Sequence, residues 1–432
     1  MTHIPFVIFA WFSLLVCGLL QDVTGAHVPV TDDEDPGKPL FLTPYIERGD
    51  IKEARRLARV TLNNLTSYSG LFTVNKAYDS NQFFWYFPTM SSNKDKDPVV
   101  LWLQGGPGGS SMFGLFQENG PIAVQNGKIV PRIYHWALNY HLLYIDNPVG
   151  AGFSFTNNVN GLCTDETQVG EQLYSTLTQF FQLFPELQKN DFFITGESYA
   201  GKYVPALAYT IMKKNSSKSL KTNVNLKALM IGGAWINPDS QRHFVPKYHL
   251  CEGKKPMKGN EKWITNSQRK NERNNLNEDD YVSVITTNAV RKAIHVGDLS
   301  FADLNGTVYD IMKVDFCQSM APWLSEILDH YPVTLYGGEL DGTVPYDGIV
   351  DFLHNHFNFT GAEEYRSAKR YEWRVDGEPA GCVRRAKRLT EVYVLDATHF
   401  VPADQPKRSL DMLTRVTSGK GFDQKEICSV PS

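Results

Sequence analysis

The stretch Asp191-Phe192-Phe193-Ile194-Thr195-Gly196-Glu197-Ser198-Tyr199-Ala200-Gly201-Lys202-Tyr203-Val204-Pro205 decides the fold. It reads as a short apolar strand, a turn that exposes a serine, and the start of a helix. A serine that must reach a carbonyl has to project from a sharp turn, so its flanks need small residues, here Gly196 and Ala200. The helix beneath it favours negative charge at its N-terminus. Tyr203, Ala206, Leu207, Thr210 and Ile211 share one face at helical spacing, which supplies the strand–turn–helix context that the pattern requires. Ala200 departs from the stricter G-x-S-x-G form.

Working outward, short apolar runs recur at 99–103, 141–146, 191–195, 228–232, 333–336 and 392–395, with helical segments between them. This alternation predicts an α/β fold with a mostly parallel central sheet flanked by helices. Val169, Leu173, Leu177, Phe180 and Phe184 mark a crossover helix whose apolar stripe faces the sheet. A polar stretch at 239–280 breaks the alternation and reads as an inserted lid. In such sheets the chemistry gathers beyond the carboxyl ends of the strands.

A serine hydroxyl becomes a nucleophile only when a histidine takes its proton, and that histidine needs a carboxylate to hold its tautomer. Asp341 follows the run at 333–336 and His399 follows the run at 392–395, so the order is Ser198, Asp341, His399. That is the order of α/β-hydrolases. Glu339 and Asp396 are rival carboxylates; taken alone, a loop aspartate is a turn former and a lone histidine is structural. After Val99–Leu103 comes Gln104-Gly105-Gly106-Pro107-Gly108-Gly109-Ser110-Ser111. A phosphate cradle fails for lack of a lysine after the glycines. As an oxyanion hole the loop would give the Gly106 N–H, joined by the N–H of Tyr199 after the nucleophile.

The chain has 432 residues, 42% of them hydrophobic and 12% aromatic, enough to bury a large core. A formal charge of −4 gives no electrostatic case for nucleic acid, and the lysines and arginines between 254 and 273 read as a solvated loop. The apolar segment 4–20 is shorter than a bilayer span and precedes Thr24-Gly25-Ala26, so residues 1–26 read as a signal peptide. An uncleaved anchor is the alternative, because Lys and Arg are missing ahead of it; no other stretch is long enough to span a membrane. Cleavage leaves Cys163, Cys251, Cys317, Cys382 and Cys428 in an oxidising compartment, an odd set that cannot pair completely. Sequons at Asn64, Asn215, Asn305 and Asn358 are expected on the surface and glycosylated.

With Trp102-Leu103-Gln104-Gly105-Gly106-Pro107-Gly108-Gly109-Ser110-Ser111, Asp146-Asn147-Pro148-Val149-Gly150-Ala151-Gly152-Phe153-Ser154, the serine turn, and His399-Phe400-Val401-Pro402-Ala403-Asp404-Gln405-Pro406, the chain resembles the serine carboxypeptidases, most of all their vitellogenic carboxypeptidase-like branch. The resemblance covers most of the mature chain and implies a single domain over 27–432. It implies that Gln104, the Gly105 backbone, Glu118 and Glu197 grip the C-terminal carboxylate of a peptide. A carboxylate is accepted by carboxylic acids only if one partner carries a proton, so acidic conditions should favour binding. Without the resemblance, Glu197 reads as a helix-start carboxylate and Glu118 as a surface residue.

The chain also departs from the family's pattern. Gly109 replaces a cysteine that would tether the oxyanion loop, Thr398 replaces a glycine, and Phe400 replaces a methionine at the leaving-group pocket. The lid is shorter than usual. The resemblance implies a secreted or lysosomal serine exopeptidase acting on peptide or protein C-termini, with no metal or organic cofactor. The alternatives are an acyltransferase on the same scaffold and a secreted binding protein with a decayed site.

Overall fold

The computed structural model describes residues 35–216, 223–245, 278–422 and 426–428. The expected signal peptide, 1–26, and all but the ends of the expected lid, 239–280, lie outside them.

The sheet is built from β1 (Arg59–Leu62), β2 (Leu65–Asn75), β3 (Ser80–Phe87), β4 (Val99–Leu103), β5 (His141–Ile145), β6 (Phe192–Glu197), β7 (Leu226–Gly232), β8 (Val333–Gly338), β9 (Tyr371–Val375), β10 (Glu378–Ala386) and β11 (Leu389–Val394). Their spatial order is β1-β2-β3-β5-β4-β6-β7-β8-β11-β10-β9, and Phe155–Thr156 pairs beside β3. From β5 to β11 neighbouring strands run parallel, while β1, β2, β3 and β10, β9 add antiparallel flanks. The parallel core matches the alternation in the sequence. The flanks do not alternate with helices, so that pattern leaves them unmarked.

Strand β4 is buried along its length because both faces are covered. Val99, Leu101 and Leu103 enter one apolar cluster while Val100 and Trp102 enter the other, the two-residue period of a strand. Helix α1 (Glu166–Leu183) starts where the Asp165 side chain accepts from the Gln168 N–H at 2.9 Å, and buries Val169, Leu173, Leu177 and Phe180. Helix α2 (Ala200–Asn215) follows the serine turn and packs on α1 so closely that a Cβ on Gly170 would lie 2.7 Å from the Ala206 carbonyl.

The parallel register brings the carboxyl ends of the strands level. Leu103 stands opposite Gly196, Gly232 opposite Glu197 and also opposite Tyr336, and Gly338 opposite Val394. Every motif singled out after an apolar run therefore arrives at one edge.

Cys382 and Cys428 are disulfide-bonded, as is Cys317, whereas Cys163 is a buried free thiol. The sequons differ in exposure. Asn64 and Asn358 are exposed, but Asn215 and Asn305 are half-buried, and their amides donate to the Val224 and Gly150 carbonyls at 2.8 Å each. Asn305 also accepts the Thr307 and Val308 N–H groups at a helix start, so this asparagine is a cap.

Candidate active site

Ser198 stands between β6 and α2 with φ +63°, a left-handed conformation that costs a non-glycine residue about 1–2 kcal/mol. The turn is held from both sides. Its N–H donates to the Gly232 carbonyl at 2.9 Å, and its carbonyl accepts from Gly201 at 2.8 Å and Trp235 at 3.0 Å. A Cβ on Gly201 would lie 2.6 Å from the Trp235 nitrogen, which explains the small residue there.

Asp341 and His399 are both buried, and the Asp341 Oδ2 lies 2.8 Å from His399 Nδ1. The other carboxylate oxygen accepts the N–H groups of Thr343 and Val344 at 2.8 and 2.9 Å, which fixes the carboxylate's orientation. A proton on Nδ1 facing Asp341 leaves Nε2 as the acceptor, the tautomer a general base requires. Burial works against the imidazolium, but the charge of Asp341, its hydrogen bond and nearby Glu118 outweigh it and raise the imidazole's pKa. The rival carboxylates are elsewhere engaged: Glu339 accepts the Asp396 N–H at 2.9 Å, and Asp396 Oδ2 faces the Arg408 guanidinium at 4.0 Å. Thr398 finds its own place, its N–H and hydroxyl donating to Asp404 Oδ2 at 2.6 and 2.5 Å.

The glycine-rich loop lies against the serine turn. A Cβ on Gly105 would stand 2.6 Å from the Tyr199 nitrogen and 2.7 Å from the Ser198 Cβ, so only glycine lets the two backbones approach this closely. Gly106 has φ +119°. In place of a disulfide at Gly109, an antiparallel bridge pairs Gly109 with Leu304, and Ser110 and Asn305 N–H groups donate to the Asp303 and Gly108 carbonyls at 2.8 and 3.0 Å.

Glu118 and Glu197 form a buried acid pair. Glu118 rides on a π-helical turn, Gly114–Asn119, which wraps so tightly around Trp102 that a Cβ on Gly114 would lie 2.1 Å from its Nε1. That same indole N–H donates to Gln104 Oε1 at 2.8 Å, and the Gln104 amide turns its Nε2 to Glu197 Oε1 at 3.1 Å. Both Glu118 oxygens and Glu197 Oε2 are buried without a donor. Two such carboxylates cannot both stay ionised, so the pair holds a proton. Burial pushes Glu118 up to about 7, and burial with the neighbouring Glu118 charge drives Glu197 well up.

Three supporting residues are given no role by the sequence. Gly233, φ +47°, lies against the His399–Asp341 pair. Arg132 donates to the Gly120 carbonyl at 3.1 Å and the Phe116 carbonyl at 2.5 Å, bracing the turn that carries Glu118. Asp146 accepts the Ser110 hydroxyl and the Ser111 and Phe153 N–H groups at 2.7, 3.0 and 2.8 Å, tying the glycine-rich loop to β5. Asp146 carries a sequence signal as the first residue of the 146–154 motif, and Gly233 directly follows the apolar run 228–232. Phe400 is half-buried, with its ring 4.9 Å from Phe113 and 5.3 Å from His399.

A family model described as serine carboxypeptidase matches residues 59–279 and 247–419. The chain is 42% identical to the venom serine carboxypeptidase of Apis mellifera over 92% of its length and 94% of that protein. It is 40% identical to the vitellogenic carboxypeptidase of Aedes aegypti, covering 89% and 90%, and 40% identical to the probable serine carboxypeptidase CPVL of Homo sapiens, covering 90% and 91%. Among solved structures, the prohormone-processing carboxypeptidase Kex1(Δ)p of Saccharomyces cerevisiae superposes with a TM-score of 0.70 at 23% identity, covering 85% of this chain and 96% of that one.

Proposed function

Because the chain belongs to the serine carboxypeptidase family, we propose that it removes C-terminal residues from peptides and proteins at acidic pH through Ser198, His399 and Asp341. The Ser198 hydroxyl attacks the last peptide carbonyl while His399 Nε2 takes its proton, and Asp341 stabilises the imidazolium that forms. The Gly106 and Tyr199 N–H groups receive the oxyanion. His399 then protonates the departing amine, and water releases the acyl group by the reverse path.

The observation that carries this reading is the buried acid pair Glu118–Glu197 beside Gln104, with Glu197 the last residue of β6 before Ser198. A protonated pair can donate to a substrate carboxylate, with the Gln104 amide and the Gly105 N–H completing the grip. The leaving residue would then lie toward Phe400. Residues 1–26 would direct the chain into the secretory pathway, to export or to a lysosome, and Asn64 and Asn358 are the sequons most open to glycans.

The test is a digest of matched peptides bearing a free C-terminus or a C-terminal amide, with products read by mass across pH. Preference for the free acid in acid, with single residues lost from the C-terminus, is the expected result. Equal cleavage of acid and amide at every pH would remove the assignment.

A further inference from the structure

Behind the serine turn lies a second buried group of charges that the mechanism above does not use. Lys202, in the first turn of α2, is fully buried and pairs with Asp315 Oδ2 at 2.5 Å. Its ammonium also donates to the Asp315 backbone carbonyl. Asp315 belongs to helix α3 (Gly306–Phe316), which follows directly on the segment 303–305 that bridges to the glycine-rich loop. Glu166, at the start of α1, has both carboxylate oxygens buried and interacts with Lys202, Asp315 and Tyr199.

These charges converge on the aromatic ring of Tyr199. Its hydroxyl donates to Asp315 Oδ2 at 3.2 Å, the Lys202 ammonium lies 5.5 Å from its ring centroid, and the Phe316 and Tyr203 rings flank it at 5.3 and 5.1 Å. Tyr203 in turn accepts the Gly108 N–H at 3.3 Å through its hydroxyl. Both strands of the oxyanion hole, the serine turn and the glycine-rich loop, are thus tied to one node.

We propose that Lys202 and Asp315 are positioning residues for the oxyanion hole: their buried ion pair, closed off by Glu166, fixes Tyr199 and, through Tyr203, the glycine-rich loop. Surface charges in water would do this weakly, but here the pair is dry and removing one member leaves the other uncompensated. Two carboxylates against one ammonium balance when one carboxylate keeps a proton. Glu166 is the one, since burial pushes its pKa well up against the opposing pull of Lys202. The other titratable groups facing the node are Tyr199, Tyr203, Asp165 and the Cys163 thiol.

The proposal rests on the reading of Tyr199 as an oxyanion donor, not on the peptide specificity, so its test uses p-nitrophenyl acetate beside a free-acid peptide. Asp315→Asn and Tyr199→Phe are compared with wild type, with active sites counted by fluorophosphonate labelling and folding checked by near-ultraviolet circular dichroism. Asp315→Asn should lower kcat on both substrates by a similar factor, roughly tenfold, as expected for displaced rather than deleted oxyanion donors, with the peptide KM within about twofold. Tyr199→Phe, which loses only the hydroxyl, should lower kcat on both by a smaller factor, about threefold. Folded variants with wild-type kcat, or a loss confined to KM, would overturn the proposal. If Asp315→Asn does not fold, Tyr199→Phe decides alone. Failure of the carboxypeptidase reading would show separately, as wild type that cleaves the ester and spares the peptide.

Discussion

Gly233 faces His399 across a gap with no room for a methyl group: a Cβ there would lie 2.8 Å from both the Cε1 and Nδ1 atoms of the imidazole and 2.9 Å from Asp341 Oδ2. The residue before it, Gly232, accepts the Ser198 N–H, so the two residues at the end of β7 and just past it touch all three members of the proposed triad. Gly233→Ala should therefore lower kcat by about a hundredfold, the scale of a misplacement near 1 Å, while the chain still folds. Steady-state kinetics on labelled, counted active sites checks this. A variant with wild-type kcat would mean that the imidazole does not need the position seen here.

Ser198→Ala should abolish hydrolysis, by roughly 10⁴-fold or more, and leave the fold intact. Loss of fluorophosphonate labelling must accompany it. Near wild-type turnover would exclude Ser198 as the nucleophile.

The proton on the Glu118–Glu197 pair sets a direction for pH. Below about 7 Glu118 stays protonated and can donate to a substrate carboxylate; above it the proton leaves and like charges meet. For free-acid peptides KM should rise by about tenfold per pH unit once pH passes the pair's titration, and for amides it should stay flat. Glu118→Gln, a permanent neutral donor, should flatten the rise. Acid acts oppositely on kcat, because His399 must be neutral to act and its pKa is raised, so the acidic advantage lies in KM for free-acid peptides. A KM profile of the variant identical to wild type would remove Glu118 from the grip.

Phe400→Met should broaden or shift the preference for the departing residue, through kcat/KM on a peptide library. The ring is wedged between Phe113 and His399, where a flexible thioether would adapt to more shapes. An unchanged ranking of terminal residues, or an unfolded variant, would place Phe400 in the core instead.

How much of this was legible in the sequence depends on how local each signal is. The serine turn is readable because strand, turn and helix are contiguous. Asp341 and His399 are readable because each follows an apolar run, and the parallel register brings those ends level. Gly233 follows an apolar run too, yet its role appears only once His399, far along the chain, is folded against it. Arg132 and the Lys202–Asp315 pair are hidden for the same reason: a lysine in a helix and an aspartate in another look like surface charges until packing buries them. Asn215 and Asn305 fit the sequon pattern equally well as Asn64 and Asn358, and only the fold shows their amides turned to backbone carbonyls.

At the sheet's β9 edge, residues 426–428 lie alongside as an extra rung. Glu372 N–H donates to the Glu426 carbonyl at 2.8 Å, Cys428 N–H to the Arg370 carbonyl at 3.0 Å, and Cys428 is bonded covalently to Cys382 on β10. Bare strand edges recruit other chains, and this one is closed over by its own polypeptide. The consequence is colloidal: reduction of that bond would free the rung, bare the backbone groups of β9 and turn a closed edge into a template for aggregation.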